Sequence, residues 1–342
     1  MPKIADIVNP ERAQLAHFKA KNKQLERELK KLLEDRGKHA EMFADLHRAI
    51  PALEPYPRIP IMPTKDSKTK VAAVVKASDW QIGEVIRAEE TEGFGKFNFA
   101  LAEKRVFQLG QKLLDWTDMH RRAGFNIPEL HVFSEADLVS GNIHYELEVT
   151  NEFPAPIAAE KAGYLMAEFV ARLAPHFTKV VVWEISADNH GRFTRKNQAK
   201  QGALNNWSRI AHVFANGRLE KHKNVFPVLG EGTKLLADVM GKKFLLSHGH
   251  HIMGQMGIPY YGMSRDKARE ATKRMNTNKK FDYISIGHWH VPAIVEGNIL
   301  VNGNLPGTTE FDHMQGRSGP PSQVSFMVHP VHGLFDWTAW KL

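Results

Sequence analysis

The strongest constraint on this chain is a recurrence. Five apolar, mostly β-branched runs, at 71–77, 130–133, 179–185, 244–247 and 283–286, each give way at once to residues carrying oxygen or imidazole donors. Ser78-Asp79-Trp80-Gln81 follows the first and Glu135-Ala136-Asp137-Leu138-Val139-Ser140-Gly141 the second. Ala187-Asp188-Asn189-His190-Gly191-Arg192 follows the third, Ser247-His248-Gly249-His250 the fourth and Gly287-His288-Trp289-His290 the fifth. Helical patterns at 97–123, 158–173, 204–215 and 266–275 separate the runs. Strands alternating with helices predict an α/β domain, and in such sheets the carboxyl ends of the strands line the ligand crevice. Shorter runs at 293–301 and 324–328 read as strands closing a sheet edge.

One Asp after a strand is usually a turn residue, and one His-x-His pair is often a surface loop. Five strand ends in succession, all bearing donors, point instead to a metal centre. With no cysteine in 342 residues, any metal must be held by His, Asp, Asn or Gln. Imidazole suits Mn, Fe, Zn and Ni alike.

The N-terminal segment reads differently. Asn9-Pro10-Glu11 starts a helix, and Leu15, Phe18, Leu25, Leu29, Leu32, Phe43, Leu46 and Ile50 fall on an a/d heptad register, interrupted by Asn22, Arg36 and His39 with Gly37 beside Arg36. Residues 1–50 are therefore expected to form a helical arm. It is either a coiled coil that makes a homo-oligomer or an amphipathic helix packed on its own domain. Five prolines between 51 and 63 mark 51–70 as a linker, leaving 71–342 as the main domain. The net charge of +8 is uneven: residues 1–70 carry 15 Lys and Arg against 10 Asp and Glu, the remainder 31 against 28. A basic balance placed mostly in the arm is a weak sign of a polyanionic partner. No apolar run reaches 18 residues and no signal pattern opens the chain, so the expectation is a cytoplasmic protein with no membrane partner.

Taken in order, the blocks over about 71–330 resemble the calcineurin-like metallophosphoesterase superfamily, whose pattern runs Asp-x-His, Gly-Asp-x-x-Asp, Gly-Asn-His, a lone His, then Gly-His-x-His. The resemblance implies a four-layered α/β fold, two mixed sheets flanked by helices, with two divalent ions at one edge. It implies Asp79, Gln81 and His290 on the first ion, Asp137 bridging, and Asn189, His248 and His288 on the second. His190 matches the histidine that serves the leaving group, and His250 a supporting or substrate-facing position. Mn is the expected metal, with Fe, Mg, Ni or Zn as alternatives. The expected reaction is in-line attack on phosphorus by water held between the ions. Asp-Leu-Val-Ser-Gly and Asn-His-Gly-Arg look most similar to the phage and bacterial DNA-repair-exonuclease branch, which implies a nucleic-acid or nucleotide-like phosphodiester, with DNA among the candidates. Only 52 residues follow His290, too few for that branch's capping domain.

Three departures stand out. Gln81 replaces a histidine, and an amide oxygen is a harder, weaker ligand, which favours Mn or Mg over Zn. Ala136 and Asp188 replace glycines, which usually mark a backbone needing positive φ. Ser140 stands where many members carry a second Asp. Arg192, Arg195 and Lys196 offer phosphate neutralisation or a solvated basic loop. Tyr260 and Tyr261 offer a mobile flap that stacks on a base or aromatic ester, or buried aromatics under a Gly-rich loop. Trp80 and Trp289 read as packing residues. Two functional alternatives stay open: a phosphomonoesterase, and a weakly active scaffold that binds partners through its arm.

Overall fold

The computed structural model describes residues 21, 23, 27, 41, 45, 48–57, 69–196, 199–254 and 259–342. The chain divides into two compact units, 1–51 and 52–342. Apart from Ile50, the heptad positions of the arm lie outside the described residues, as do residues 58–68 of the linker. Within the second unit, residues 52–57 lie against the domain: Leu53 N–H donates to Arg218 O, and Tyr56 Oη donates to Glu168 at 2.6 Å.

The second unit is built on two mixed sheets flanked by helices. The first has the order β11-β10-β1-β2-β3-β4, with β1 (Lys70–Lys76), β2 (Asn126–Glu135), β3 (Lys179–Ile185) and β4 (Val225–Leu229) parallel, and β10 (Ser322–His329) and β11 (Gly333–Lys341) added antiparallel. In the second sheet, β6 (Lys242–Ser247), β7 (Tyr283–Ile286) and β9 (Ile299–Val301) are parallel, while β5 (Lys234–Val239) and β8 (Ala293–Val295) form antiparallel edges. Helices α1 (Phe99–Arg122), α3 (Ala155–Leu173) and α4 (Trp207–Leu219) bury Val106, Leu109, Phe169 and Ala211 in one core with Val71, Val75 and Val132. The opposite faces of β1 and β10 turn Ala72, Val74, Phe326 and Val328 towards Phe244 and Leu246 of the second sheet. α2 (Tyr145–Thr150) and α6 (Glu310–Met314) are short, and α5 (Tyr260–Arg274) packs Met263 beside Leu245, Ile284 and Ile286.

The run at 293–301 is a hairpin rather than one strand. Glu296 and Gly297 both take positive φ, turning β8 back on β9 in register Ala293↔Val301. β4, β5 and β11 were not expected from the sequence. β4 carries Pro227 and β5 lies at a sheet edge, and exposure of one face blurs the apolar signal.

One buried cation joins the sheets beneath their functional end. Lys76, the last residue of β1, pairs with Glu135 Oε2 at 3.0 Å, both side chains fully buried. Its Nζ also donates to Ile286 O at 2.8 Å and Leu300 O at 2.9 Å, the ends of β7 and the middle of β9. The strand tips that carry Asp79, Asp137 and His288 are thus fixed to a common anchor.

Candidate metal centre

All five donor-bearing segments meet at that end. Ligand atoms of Asp79, Asp137 and His290 lie within 4.8 Å of one another, and so do those of Asp137, His248 and His288. Asp137 belongs to both groups, so its carboxylate stands where two cations would share it. The backbone is bent to make this possible: Asp79, Gln81, Ala136, Asp137, His288 and His290 all have positive φ, between 46° and 67°. Left-handed backbone at a non-glycine residue costs on the order of 1–3 kcal/mol and persists where surrounding structure imposes it, which is typical of functional sites. Ala136 keeps the left-handed turn (φ 67°) in the place of the expected glycine. Two real glycines serve close approach. A Cβ on Gly287 would sit 2.3 Å from Asp79 Oδ2, and one on Gly141 would sit 1.9 Å from His190 O.

The donors are held by a second set of bonds. His248 Nδ1 lies 2.9 Å from Glu135 O, which places a proton on Nδ1 and turns Nε2 towards Asp137 Oδ2 at 2.9 Å and Asn189 Oδ1 at 3.0 Å. Three acceptors then face one point, an arrangement that needs a cation or a proton. Burial opposes charging of the His248 ring, but Asp137 raises it to about 10. Burial would raise the Asp137 carboxyl too, yet His248 and His190 hold it well below the usual carboxylate range. His288 is kept neutral by burial and by His248, its pKa held well below the ordinary value. The donor set fits a divalent ion: Gln81 Oε1 is buried with no hydrogen-bond donor among the described residues, and Asp137 Oδ2, Asn189 Oδ1 and His248 Nε2 converge on one point.

The half of the site around His290 is arranged less favourably. Asn304 is oriented by Gly307, whose N–H donates to Oδ1 and whose carbonyl accepts from Nδ2, and the same Nδ2 lies 3.2 Å from His290 Nδ1. That leaves the His290 proton on Nε2, which faces Asp79 Oδ1 at 3.5 Å. Gln81 sets its Nε2 3.4 Å from His290 Nε2 and 3.5 Å from His190 Nε2. Rotating the amide would bring Oε1 to the same place.

His190 is pinned through Nδ1, 2.8 Å from the carbonyl of Ser140, while its backbone N–H donates to Asp137 Oδ1 at 3.2 Å. At the position where a second Asp was expected, it is thus the main-chain carbonyl of Ser140 that does the orienting. Asp188 corrects another expectation. It is absent from the positive-φ residues; its buried carboxylate is a hub instead. Oδ2 accepts from Asp137 N–H at 2.8 Å and Ser208 Oγ at 2.5 Å, and Oδ1 accepts from Gly191 N–H at 2.7 Å and Asn206 Nδ2 at 2.8 Å. Asn206 is the N-cap of α4, so that helix start, the Asp137 turn and the Asn189-His190 loop are tied together.

The remaining sequence candidates divide. His250 lies beside the centre, its ring 5.6 Å from that of His248, and burial with the His248 charge pushes it down to about 3. It lines a small cavity with Asp188, Arg192 and Thr233. Arg192 braces its own loop, donating to the carbonyls of Thr194 at 2.9 Å and Arg195 at 3.1 Å, and Arg195 is exposed. Tyr260 and Tyr261 begin helix α5 and are 50% and 68% exposed, so they are neither buried nor on a loop; Tyr260 alone of the two lines the larger cavity. Trp80 packs edge-on against Phe169 in the core, whereas Trp289 lines the larger cavity. One buried carboxyl escaped the sequence reading: Glu84, raised by burial to about 7, with Oε2 unpartnered among the described residues. Nothing in its local pattern, Ile82-Gly83-Glu84, distinguishes it from a surface acid.

No family model and no curated protein matches the sequence. Several solved structures are similar to it. Vps29 of Entamoeba histolytica, in complex with Zn²⁺, is 12% identical, with 79% of this chain and 98% of that one covered and a TM-score of 0.28. Vacuolar protein sorting 29 of Cryptosporidium parvum is 12% identical over 80% and 99% of the two chains, TM-score 0.30. A conserved uncharacterized protein of Streptococcus pneumoniae TIGR4, described as a predicted phosphoesterase, is 12% identical over 53% and 91%, TM-score 0.26. Among the described residues, no helix is long and apolar enough to cross a membrane.

Proposed function

We propose that the chain is a divalent-metal-dependent phosphoesterase of the calcineurin-like type, acting on a phosphodiester of the nucleic-acid or nucleotide-like class. The observation that carries this reading is the sharing of Asp137 between two three-donor groups at the tips of both sheets. Asp137, Asn189, His248 and His288 would hold one ion, and Asp79, Gln81, Asp137 and His290 the other. Bound there, two dications would activate water and neutralise charge at phosphorus.

The chain's own residues prepare that chemistry. Asp137 offsets the repulsion of two like charges. Glu135 O fixes the His248 tautomer that leaves Nε2 free to ligate. Ser140 O likewise holds a proton on His190 Nδ1, so Nε2 would give a proton to a departing oxygen only from the doubly protonated ring. The first group differs: Asn304 places the His290 proton on the nitrogen that would bind, and Gln81 offers an amide. The ion at His248 and His288 is therefore expected to bind more tightly than the one at His290. Mn, tolerant of oxygen donors, suits the pair best.

The test is Mn²⁺ uptake together with hydrolysis of bis(p-nitrophenyl) phosphate. Two ions of unequal affinity are expected, with turnover lost in Asp137→Asn and His288→Ala. No metal uptake, or turnover indifferent to both substitutions, would defeat the reading in favour of a partner-binding scaffold. Hydrolysis of p-nitrophenyl phosphate alone would replace diester by monoester.

A further inference from the structure

Beside the candidate metal centre lies a cavity of about 210 Å³, open on one side. It has room for one ring-sized group, less than a drug-sized ligand needs. Its lining includes His290 and Asn304, so it adjoins the Asp79-Asp137-His290 group. A phosphorus held at that group would direct one of its ester substituents into this space.

The walls say what that substituent is. Tyr260, on the first turn of α5, and Trp289, between the two ligand histidines, supply aromatic surface, with Val291 beside them. Tyr260 is half exposed, and among the described residues its ring packs on no other aromatic ring. A tyrosine left open on one face of a cavity is a stacking platform for any planar π-system.

The lining also has a polar part. Arg317 and Asp312 both line the cavity, Arg317 Nη2 standing 3.4 Å from Asp312 Oδ1. The guanidinium lies over the Phe311 ring, 5.4 Å from its centroid, which holds its plane. Asp312 is fixed in turn by Thr309, whose Oγ1 donates to Oδ2 at 2.9 Å. A planar donor next to a carboxylate acceptor matches the polar edge of a heteroaromatic ring. An alkyl chain in the same place would make no use of these groups.

The geometry points to this cavity as the pocket for a nucleobase. The base would stack on Tyr260 and Trp289, with its polar edge towards Arg317 and Asp312, while the adjoining phosphate rests at the metal centre. The inference builds on the phosphoesterase reading above. It adds that selectivity lies on the His290 side, away from the cavity lined by His250 and Arg192.

Two substrates with one leaving group test it: thymidine 5′-(p-nitrophenyl phosphate) and methyl p-nitrophenyl phosphate, with the full-length Mn²⁺-loaded chain. Stacking of one base predicts a preference for the thymidine ester on the order of tenfold in kcat/KM. Tyr260→Ala and Arg317→Ala should each cut that ratio several-fold, while Tyr260→Phe should preserve it. A second readout needs no turnover: thymidine 5′-monophosphate, titrated by calorimetry, should bind about tenfold more tightly than methyl phosphate, and Tyr260→Ala should remove the difference. Equal kcat/KM together with equal affinities would overturn the pocket while leaving the phosphoesterase standing. Absence of hydrolysis with the binding preference intact, and sensitive to Tyr260→Ala, would do the reverse. Absence of both would overturn both.

Discussion

Asp188 offers the sharpest test of how the loops around the centre are held. Its buried carboxylate accepts four hydrogen bonds, two from backbone N–H groups (Asp137 and Gly191) and two from side chains (Asn206 and Ser208). Asp188→Ala strands all four donors where little water reaches. A buried donor left unpaired costs roughly 1–3 kcal/mol, and the Ser208 hydroxyl can turn to other partners, so a loss of about 4–6 kcal/mol is expected. Asp188→Asn replaces one oxygen by an amide nitrogen. It keeps one pair of bonds and sets an N–H against either the Asp137 or the Gly191 backbone N–H, so about 1–3 kcal/mol should be lost. Urea denaturation of the metal-free chain measures both, with an unchanged m value as the check on two-state behaviour. The expected order is wild type above Asn above Ala. Should Ala fall within about 1 kcal/mol of wild type, or Asn cost as much as Ala, the hub would not be what holds the Asp137 turn.

Lys76→Met removes the cation between the sheets and leaves Glu135 buried and unpaired. It should destabilise by about 3–5 kcal/mol in denaturant, and adding Glu135→Gln should recover at least half of that. Glu184 is fully buried, and burial pushes its carboxyl from 4.5 up to about 8, against the opposing bond from Asn216. A raised folded-state pKa means stability that is complete below pH 4.5 and lost as pH rises through about 8. Ionising Glu184 in the fold then costs on the order of 3–5 kcal/mol. Glu184→Gln should flatten thermal stability between pH 5 and 8.5 and exceed wild type at the alkaline end; parallel pH profiles would refute the assignment. Deleting residues 1–50 tests the arm by light scattering: a drop in oligomeric mass is expected if it is a coiled coil, and an unchanged mass removes that role.

Much of the second unit is legible in the chain because parallel strands buried on both faces read as plain apolar runs. β1, β3, β6 and β7 fall where those runs are, and α1 and α3 follow their 3.6-residue periods. Strands at edges or with one open face, such as β4, β5 and β11, carry mixed patterns and do not stand out. The donor residues could be picked out from order alone, since each follows directly on a strand that must end somewhere. Distances between them could not.

What the sequence by itself determined, then, is which residues compete for the site: Asp79, Asp137, Asn189, His248, His288 and His290 all lie on strand tips, a local property of short-range pattern. What only tertiary structure decided is how each donor is presented. The tautomer of His248 depends on Glu135 O, 113 residues away, and that of His290 on Asn304, beyond the β8–β9 hairpin. Asp188 looked like a substitute for glycine until the fold brought Asn206 and Ser208 to its carboxylate. The base pocket, likewise, exists only because α5, the His290 loop and the segment after α6 converge. Imidazole protons and cavity walls answer to neighbours in space, and a linear pattern does not contain those neighbours.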